Sequence, residues 1–375
     1  MAFKFQLTTA IIFGDGSINQ LGQEAAKLGG KGFIVTYPDI ERVGLLDRVV
    51  KDLKAKGIEV VIFDRVICNP RTTTVDEGAE FARKEKPEFF IGLGGGSVMD
   101  TTKGIALTSS GTASVWDYVL HRTNIHGPIC PIIQVPTMAG TGSEMNPSAV
   151  LTHWETHIKM PLGGFPDLQA KVAIVDPALT VTVPIRQVKA GGVDILSHLI
   201  EYYLTDETPQ PLTDGISETS MKMVVDYLPQ VIARPEDIKA RTEISWASTI
   251  AMSKIARLGG GGGSMTCHAI EHALSGYYDI THGEGLAALL PAWMEHQFKV
   301  NNNRFISLGK KVFGKIDGLK ATEQFLEGIG MRLRLGDLGC KLEDTQLIAD
   351  LVFKSSPPDL ALDSNTIAEI YRNSF

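Results

Sequence analysis

Side chains able to bind a divalent metal recur at helical spacing in the C-terminal half of this 375-residue sequence. They are Asp194 and His198, four residues apart; His268 and His272, with the same spacing; and His282. Residues i and i+4 project from one face of a helix, so each pair could chelate an ion. A carboxylate with imidazoles suits a borderline metal such as Fe²⁺ or Zn²⁺. The same histidines could be ordinary surface or core residues, and spacing alone makes His272 as good a ligand as His282.

Three consecutive glycines, 94–96, lie between a predicted strand over 89–94 and a predicted helix over 97–107. Such glycines let backbone N–H groups approach an anion, and a helix N-terminus adds partial positive charge. The turn could therefore hold a pyrophosphate, although Ser97 stands where the usual dinucleotide motif has its last glycine. A tight turn without a ligand fits the pattern equally well.

The elements that would position these residues alternate along the N-terminal half. Short apolar runs predict strands over 32–37, 59–64, 89–94 and 132–137, and the amphipathic segment 41–57 predicts a helix. Strands that alternate with helices imply a parallel sheet, whose ligands bind at the carboxyl ends of the strands. A second polar turn, 136–144, follows the last strand, and two hydroxyl-bearing turns at neighbouring strand ends favour a nucleotide.

Beyond residue 183 the helical periodicity continues without a strand-like run, for example over 216–232 and 242–258. We therefore predict an α/β nucleotide-binding domain over residues 1–183 and an all-helical metal-binding domain over 184–375. The glycines 259–263 predict either a hinge or a close approach of the backbone to a ligand.

Composition narrows the class of partner. Lys and Arg number 36 against 43 Asp and Glu, and no basic block interrupts the net charge of −7, so neither nucleic acid nor an anionic membrane is expected to bind. No apolar run is long enough to span a bilayer, and the N-terminus predicts a first strand, not a signal peptide. The four scattered cysteines fit reduced thiols in a cytoplasmic protein. Small molecules remain as partners.

Together these segments resemble the iron-containing, or group III, alcohol dehydrogenase family over nearly the whole chain. The matching motifs are IIFGDGS (11–17), NP (69–70), GGGSVMDTTK (94–103), PTMAGTGSE (136–144), VDPALT (175–180), GGVDILSHLIE (191–201) and HAIEHALSGYYDITHGEG (268–285). Within the family, the segments around residues 35–50 and 184–194 most resemble the butanol-dehydrogenase branch. The resemblance implies the fold shared with dehydroquinate synthase: an α/β dinucleotide-binding domain followed by an all-α metal-binding domain.

The resemblance also implies roles for individual residues. The metal ligands would be Asp194, His198, His268 and His282, and the nearby His272 would not bind metal but would relay a proton. Residues expected to contact the pyrophosphate and nicotinamide ribose are Gly95, Gly96, Ser97 and Asp100. Thr137, Thr141 and Lys159 would hold the nucleotide from neighbouring turns, and Asn69 would lie near the adenosine.

The choice between NAD and NADP depends on the segment after the second strand. Many NAD-preferring relatives end that strand with an Asp, where this sequence has Tyr37. Carboxylates at Asp39 and Glu41 would repel a 2'-phosphate, whereas Arg42 could attract one. The balance favours NAD, with Asp39 as the residue that binds the adenine ribose.

The expected activity is hydride transfer between the nicotinamide and a small alcohol or aldehyde, assisted by the metal. Two alternatives are a metal- and NAD-dependent lyase of the dehydroquinate-synthase type and a catalytically silent protein that binds nucleotide or metal. The lyase would need several basic residues for an anionic substrate, and the relevant segments are poor in them. By analogy with the family, a homodimer or larger homo-oligomer is expected.

Overall fold

The computed structural model describes residues 5–125, 127–206, 208–257, 263–299, 302–355 and 362–375. The chain divides into two compact units. One comprises Leu7–Thr156 and Met160–Val183, and the other comprises Pro184–Phe375 together with His157–Lys159 and the described residues up to Gln6. Of the five glycines singled out in the sequence, 259–262 lie outside the described residues.

A six-stranded parallel sheet forms the centre of the first unit. Its strands are β1 (Ala10–Phe13), β2 (Lys31–Val35), β3 (Glu59–Phe63), β4 (Phe89–Gly94), β5 (Ile132–Pro136) and β8 (Val172–Val175), in the order β1-β8-β5-β4-β2-β3. The helices of this unit are α1 (Leu21–Ala25), α2 (Leu45–Ala55), α3 (Thr72–Glu85), α4 (Gly96–Ser109) and α5 (Val115–Val119). The predicted parallel sheet is confirmed.

Alternating side chains of each strand enter different apolar clusters, as the period of two in a strand requires. On β2, Phe33 and Val35 join one buried cluster and Ile34 joins another; on β4, Phe90 joins the first and Ile91 the second. Both sides of the sheet are therefore covered, which explains why its strands read as continuous apolar runs.

One local prediction was wrong, and three strands were missed. The helix predicted over 41–57 begins only at Leu45, because Pro38–Val43 forms a 3-10 turn that ends at Gly44, whose φ is +65°. Strand β8 of the central sheet was not predicted, nor was a small two-stranded sheet, β6 (Ala149–His153) with β7 (Ile158–Leu162).

From Pro184 onward, the described residues of the second unit form helices joined by turns, without a strand. Its α-helices are α6 (Ile185–Thr205), α7 (Pro211–Ala233), α8 (Ile238–Ala251), α9 (Thr266–Tyr278), α10 (His282–Phe298), α11 (Asn302–Leu308), α12 (Gly318–Gly328), α13 (Thr345–Ser355) and α14 (Ser364–Asn373). An α/β unit followed by a helical one confirms the predicted fold class. Among the described residues, no helix has the combination of length and hydropathy that crossing a bilayer requires.

Candidate active site

Three helices of the second unit bring one carboxylate and three imidazoles together. Asp194 and His198 lie one turn apart on α6, His268 lies in the first turn of α9, and His282 is the first residue of α10. Asp194 Oδ1 is 3.4 Å from Nε2 of His268 and 3.6 Å from Nε2 of both His198 and His282. The i, i+4 spacing on α6 therefore places both side chains on the face that meets α9 and α10.

These separations suit donors around a common ion. Two atoms bonded to one metal at about 2.1 Å, with tetrahedral or octahedral angles, are about 3.0 to 3.4 Å apart. Donor atoms of Asp194, His268 and His282 all lie within 4.8 Å of one another, and the His198 ring stacks on that of His268 at a centroid distance of 4.4 Å. The side chains of Asp194, His198 and His268 are only 5% exposed, whereas that of His282 is 21% exposed.

The buried charges of this cluster perturb one another strongly. Burial would raise the pKa of the Asp194 carboxyl, but the three neighbouring histidines outweigh that effect and lower it well below its usual value. Burial lowers the pKa of His198 to about 3, so its imidazole is neutral and able to act as a ligand. Burial has the same tendency at His268, yet Glu201 and Asp194 raise the pKa of that imidazole to about 10.

His272 lies beside this cluster, one helical turn after His268 on α9. Its ring centroid is 5.4 Å from that of His282 and 6.4 Å from that of His268. Burial, with Lys159 and His282 nearby, holds the pKa of His272 well below its usual value, so the imidazole is neutral at pH 7. Glu271, His272 and His282 form a second group of donors within 4.8 Å, but there the Glu271 carboxylate already accepts a hydrogen bond from His282 Nδ1.

Two glutamates of this site were missed by the sequence reasoning. Glu201 on α6 accepts hydrogen bonds from His268 Nδ1 and from the backbone N–H groups of Cys267, at 2.7 Å, and His268, at 3.2 Å. Glu271 on α9 accepts from His282 Nδ1 and from the Ser275 hydroxyl. The available signal was a carboxylate three residues after a histidine in each motif, inside an otherwise apolar helix.

The glycine-rich turn and the second polar turn meet at one edge of the sheet in the first unit. Gly94 at the end of β4 is paired with Pro136 at the end of β5, so the segments that follow both strands lie side by side. Helix α4 begins at Gly96 with Gly95 as its N-cap and without a side-chain cap. A Cβ at Gly96 would lie 2.4 Å from Thr141 Cγ2, so only glycine permits this approach.

Asp100 and Lys103, in the first half of α4, form hydrogen bonds with the polar turn after β5 and with the residues that follow it. Asp100 Oδ1 accepts a hydrogen bond from the Ser143 hydroxyl at 2.6 Å, and its Oδ2 accepts one from the Val150 N–H at 2.8 Å. The fully buried Lys103 Nζ donates to the carbonyl oxygens of Ser143, at 2.7 Å, and Ser148, at 2.6 Å. Sequence reasoning did not single out Lys103.

The remaining predicted nucleotide contacts are more dispersed. Thr137 donates its N–H to Gly94 O at 3.1 Å, within the two-turn region. Asn69 is buried and has a left-handed backbone, with φ of +51°. Lys159 lies on β7, not in a turn, with Nζ 3.9 Å from Glu271 Oε2 in the helical unit. Asp39 is exposed and forms a 3.0 Å ion pair with Arg42, two residues that sequence reasoning had set against each other.

Sequence profiles of one family match both halves of the chain. The profile described as iron-containing alcohol dehydrogenase matches residues 8–177, and that of the C-terminal region of the same family matches residues 188–375. Asp194 and the three histidines around it all lie within the second of these segments.

Individual relatives are similar along their whole length. The NADH-dependent butanol dehydrogenase A of Clostridium acetobutylicum is 32% identical over 391 residues, which cover 100% of each chain. The 1,3-propanediol dehydrogenase of Citrobacter freundii is 31% identical over 100% of this chain and 99% of its own. The crystal structure of NADH-dependent butanol dehydrogenase A from Thermotoga maritima superposes with a TM-score of 0.94 at 34% identity, covering 100% of this chain and 98% of the other.

These matches are to alcohol dehydrogenases, several of them butanol dehydrogenases, and do not support the lyase or the catalytically silent alternative. They agree with a group of donors around Asp194, on three helices, that could hold a metal ion. The chain therefore belongs to the iron-containing alcohol dehydrogenase family and is a metal-dependent oxidoreductase of its butanol-dehydrogenase branch.

Proposed function

We propose that this protein interconverts small primary alcohols and aldehydes with NAD(H), using a divalent ion held by Asp194, His198, His268 and His282. The observation that carries the proposal is the position of Asp194 Oδ1, which is 3.4 to 3.6 Å from Nε2 of all three histidines. One carboxylate oxygen with imidazole nitrogens fits Fe²⁺ or Zn²⁺ better than a hard ion such as Mg²⁺. When bound, such an ion polarises the oxygen of an alcohol or aldehyde.

His272 is proposed to handle the proton that accompanies hydride transfer. A general base must be uncharged to accept a proton, and burial keeps this imidazole neutral. Its ring centroid lies 5.4 Å from that of His282, so His272 is next to the proposed ligands. It is not a member of the donor group that contains Asp194. Of the proposed ligands, His282 is also the most exposed to solvent, so a proton could leave the cluster on this side.

The nucleotide is proposed to bind where the turns after β4 and β5 meet, within an N-terminal domain of residues 1–183. Gly95, Gly96 and Ser97 would offer backbone N–H groups to the pyrophosphate at the start of α4. Asp100 would act through Ser143, since both of its oxygens accept hydrogen bonds from the second turn and β6. Thr137, Thr141 and Asn69 would complete this site.

Lys159 is also proposed to contact the nucleotide, although it groups with the helical domain, 184–375. Its ammonium lies 3.9 Å from the buried Glu271 carboxylate, which fixes the position of the charge. NAD is the proposed nucleotide, because the butanol dehydrogenases of Clostridium acetobutylicum and Thermotoga maritima are named NADH-dependent and Asp39 would oppose a 2'-phosphate. A cytoplasmic homodimer or larger homo-oligomer is the proposed state in the cell.

An activity matrix tests the proposal. Metal-free protein is reconstituted with Fe²⁺ under nitrogen or with Zn²⁺, and NADH or NADPH absorbance is followed with a panel of short aldehydes and alcohols. We expect turnover of C2 to C4 substrates that requires the metal and is faster with NAD(H). Absence of turnover with every metal, nucleotide and substrate would contradict the proposal. Light scattering on the same samples gives the oligomeric state.

A further inference from the structure

Two buried glutamates stand directly behind two of the proposed metal ligands. Glu201 and Glu271 have no exposed side-chain surface, and each accepts a hydrogen bond from Nδ1 of a histidine on another helix: Glu201 from His268, Glu271 from His282. A carboxylate only accepts, so Nδ1 carries the proton in both rings. Nε2, the atom that faces Asp194 Oδ1, is then the nitrogen left to bind a metal in both rings.

We propose that Glu201 and Glu271 are positioning residues that fix the Nδ1–H tautomer and the ring orientation of His268 and His282 for metal binding. This inference rests on the proposed function, in which both histidines are ligands. A carboxylate behind a ligating imidazole raises its basicity and prevents the ring from rotating or changing tautomer.

The third proposed histidine ligand has no such support. His198 Nδ1 is buried and has no hydrogen-bond partner among the residues that the structure describes. A buried histidine of this helical unit therefore does not always have a carboxylate as hydrogen-bond acceptor for its Nδ1. The contrast assigns the tautomer-fixing role to two rings out of three.

The two glutamates are themselves held in different ways. Glu201 Oε2 accepts from two backbone N–H groups, those of Cys267 and His268, at the start of α9, where Met265 provides no side-chain cap. These donors are fixed by the helix and cannot change direction. Glu271 Oε1 is held by the Ser275 hydroxyl, which can rotate to donate or to accept.

The chain also leaves room for the Glu271 carboxylate. A Cβ at Gly285 on α10 would lie 2.6 Å from Glu271 Oε1 and 2.9 Å from its Cγ, so a side chain there would displace the carboxylate from His282. Lys159 Nζ, 3.9 Å from Oε2, balances the buried negative charge. Position and charge of this group are therefore both set by other elements of the helical unit.

This difference gives opposite expectations for the same substitution. In Glu201→Gln, the two backbone donors require the amide oxygen, so the amide NH₂ faces His268 Nδ1. That nitrogen must then accept, and the proton moves to Nε2, where it blocks metal binding. In Glu271→Gln, the Ser275 hydroxyl can accept from the NH₂, so the amide oxygen remains available to His282 Nδ1–H.

The test measures Zn²⁺ affinity of metal-free protein in competition with a chromophoric chelator. We expect Glu201→Gln to bind Zn²⁺ about 10- to 100-fold more weakly and Glu271→Gln to stay within about threefold of wild type. Glu271→Leu, which removes the acceptor, should weaken binding about as much as Glu201→Gln does. ¹⁵N spectra of histidine-labelled metal-free Glu201→Gln should report a proton on Nδ1 of one histidine fewer than in wild type.

Glu218→Gln is the matched control, because Glu218 is a partly buried carboxylate of the same unit that accepts a hydrogen bond from the Tyr203 hydroxyl at 2.8 Å. Its Zn²⁺ affinity should equal that of wild type. Near-wild-type affinity of Glu201→Gln, or an equal loss in Glu218→Gln, would overturn the inference. If Glu201→Gln fails to fold, the comparison of Glu271→Leu with Glu271→Gln decides in the same way.

The result is independent of the activity assay. A wild-type protein that binds Zn²⁺ but turns over no alcohol would contradict the proposed function, while the affinities would still test the glutamates. An active wild type with unchanged Glu201→Gln and Glu271→Leu affinities would overturn only the present inference.

Discussion

His272 and the proposed ligands lie within one cluster of rings, yet a single substitution separates their roles. His272→Ala should keep one metal per chain and lower kcat by about 10² to 10⁴, the usual contribution of a positioned acid or base. Metal content and steady-state rate are measured on the same preparation. His296→Ala, at the end of α10, is the control and should change neither. Loss of metal from His272→Ala would instead make His272 a ligand, as part of the second donor group with Glu271 and His282.

Asp39 carries the second prediction at this scale, the preference for NAD. Its carboxylate and the Arg42 guanidinium are paired at 3.0 Å on an exposed turn, so removing the carboxylate also releases a cation toward a 2'-phosphate. Asp39→Gly should shift the ratio of kcat/KM values toward NADP by on the order of 1 to 2 kcal/mol. Asp64→Gly, at the exposed residue that follows β3, is the matched control. An unaltered ratio would show that other residues select the nucleotide.

A single buried lysine on helix α4, Lys103, links this helix to the segment that follows β5. Lys103 is fully buried, and its ammonium donates to Ser143 O, Ser143 Oγ and Ser148 O. Lys103→Met leaves buried carbonyl oxygens without their donor, which costs about 1 to 3 kcal/mol for each one. We expect lower thermal stability and a KM for NAD raised at least tenfold, with a smaller change in KM for the aldehyde. Lys84→Met, on the exposed side of α3, should have neither effect.

The pH dependence of stability follows from the same group. Burial lowers the pKa of Lys103 to about 8, against the ordinary 10.5. Between these values the unfolded chain binds the proton and the folded chain does not, so this group's contribution to the free energy of unfolding rises with pH. The difference in stability between wild type and Lys103→Met should therefore grow by on the order of 2 kcal/mol from pH 8 to 9.5. Urea unfolding at the two pH values measures it; a constant difference would contradict the buried, partly neutral amine.

At the scale of the whole molecule, metal removal is expected to abolish activity without unfolding the chain. The α/β unit has its own apolar clusters on both faces of the sheet, and the helical unit buries large side chains such as Trp293 and Leu289. Chelator-treated protein should keep its far-ultraviolet circular dichroism and recover its rate when Fe²⁺ or Zn²⁺ is added. His268→Ala and His282→Ala should behave like the chelated protein. Full metal content together with a full rate in either variant would show that the substituted histidine is not a metal ligand.

Without the family resemblance, which favoured His282 over His272, the sequence still predicted the two-part fold, the alternation of strands with helices, and the shared face of Asp194 and His198. The reason is that these depend on local periodicity: buried parallel strands are apolar throughout, helices repeat every 3.6 residues, and i, i+4 spacing places Asp194 and His198 on one face. The start of α2 at Leu45 was missed, because the left-handed Gly44 interrupts a pattern that remains amphipathic on both sides.

Only the tertiary structure decided which groups act on one another. Glu201 follows His198 by three residues and Glu271 follows His268 by three, a spacing that would pair each glutamate with a histidine of its own helix. In the folded chain Glu201 instead binds His268, and Glu271 binds His282. Helix packing fixes these partners, because a side chain that points into the core meets the neighbouring helix and not its own. The sequence by itself thus determined the types of side chain and the helices that carry them. Which histidine each buried glutamate binds depended on how the three helices α6, α9 and α10 pack together.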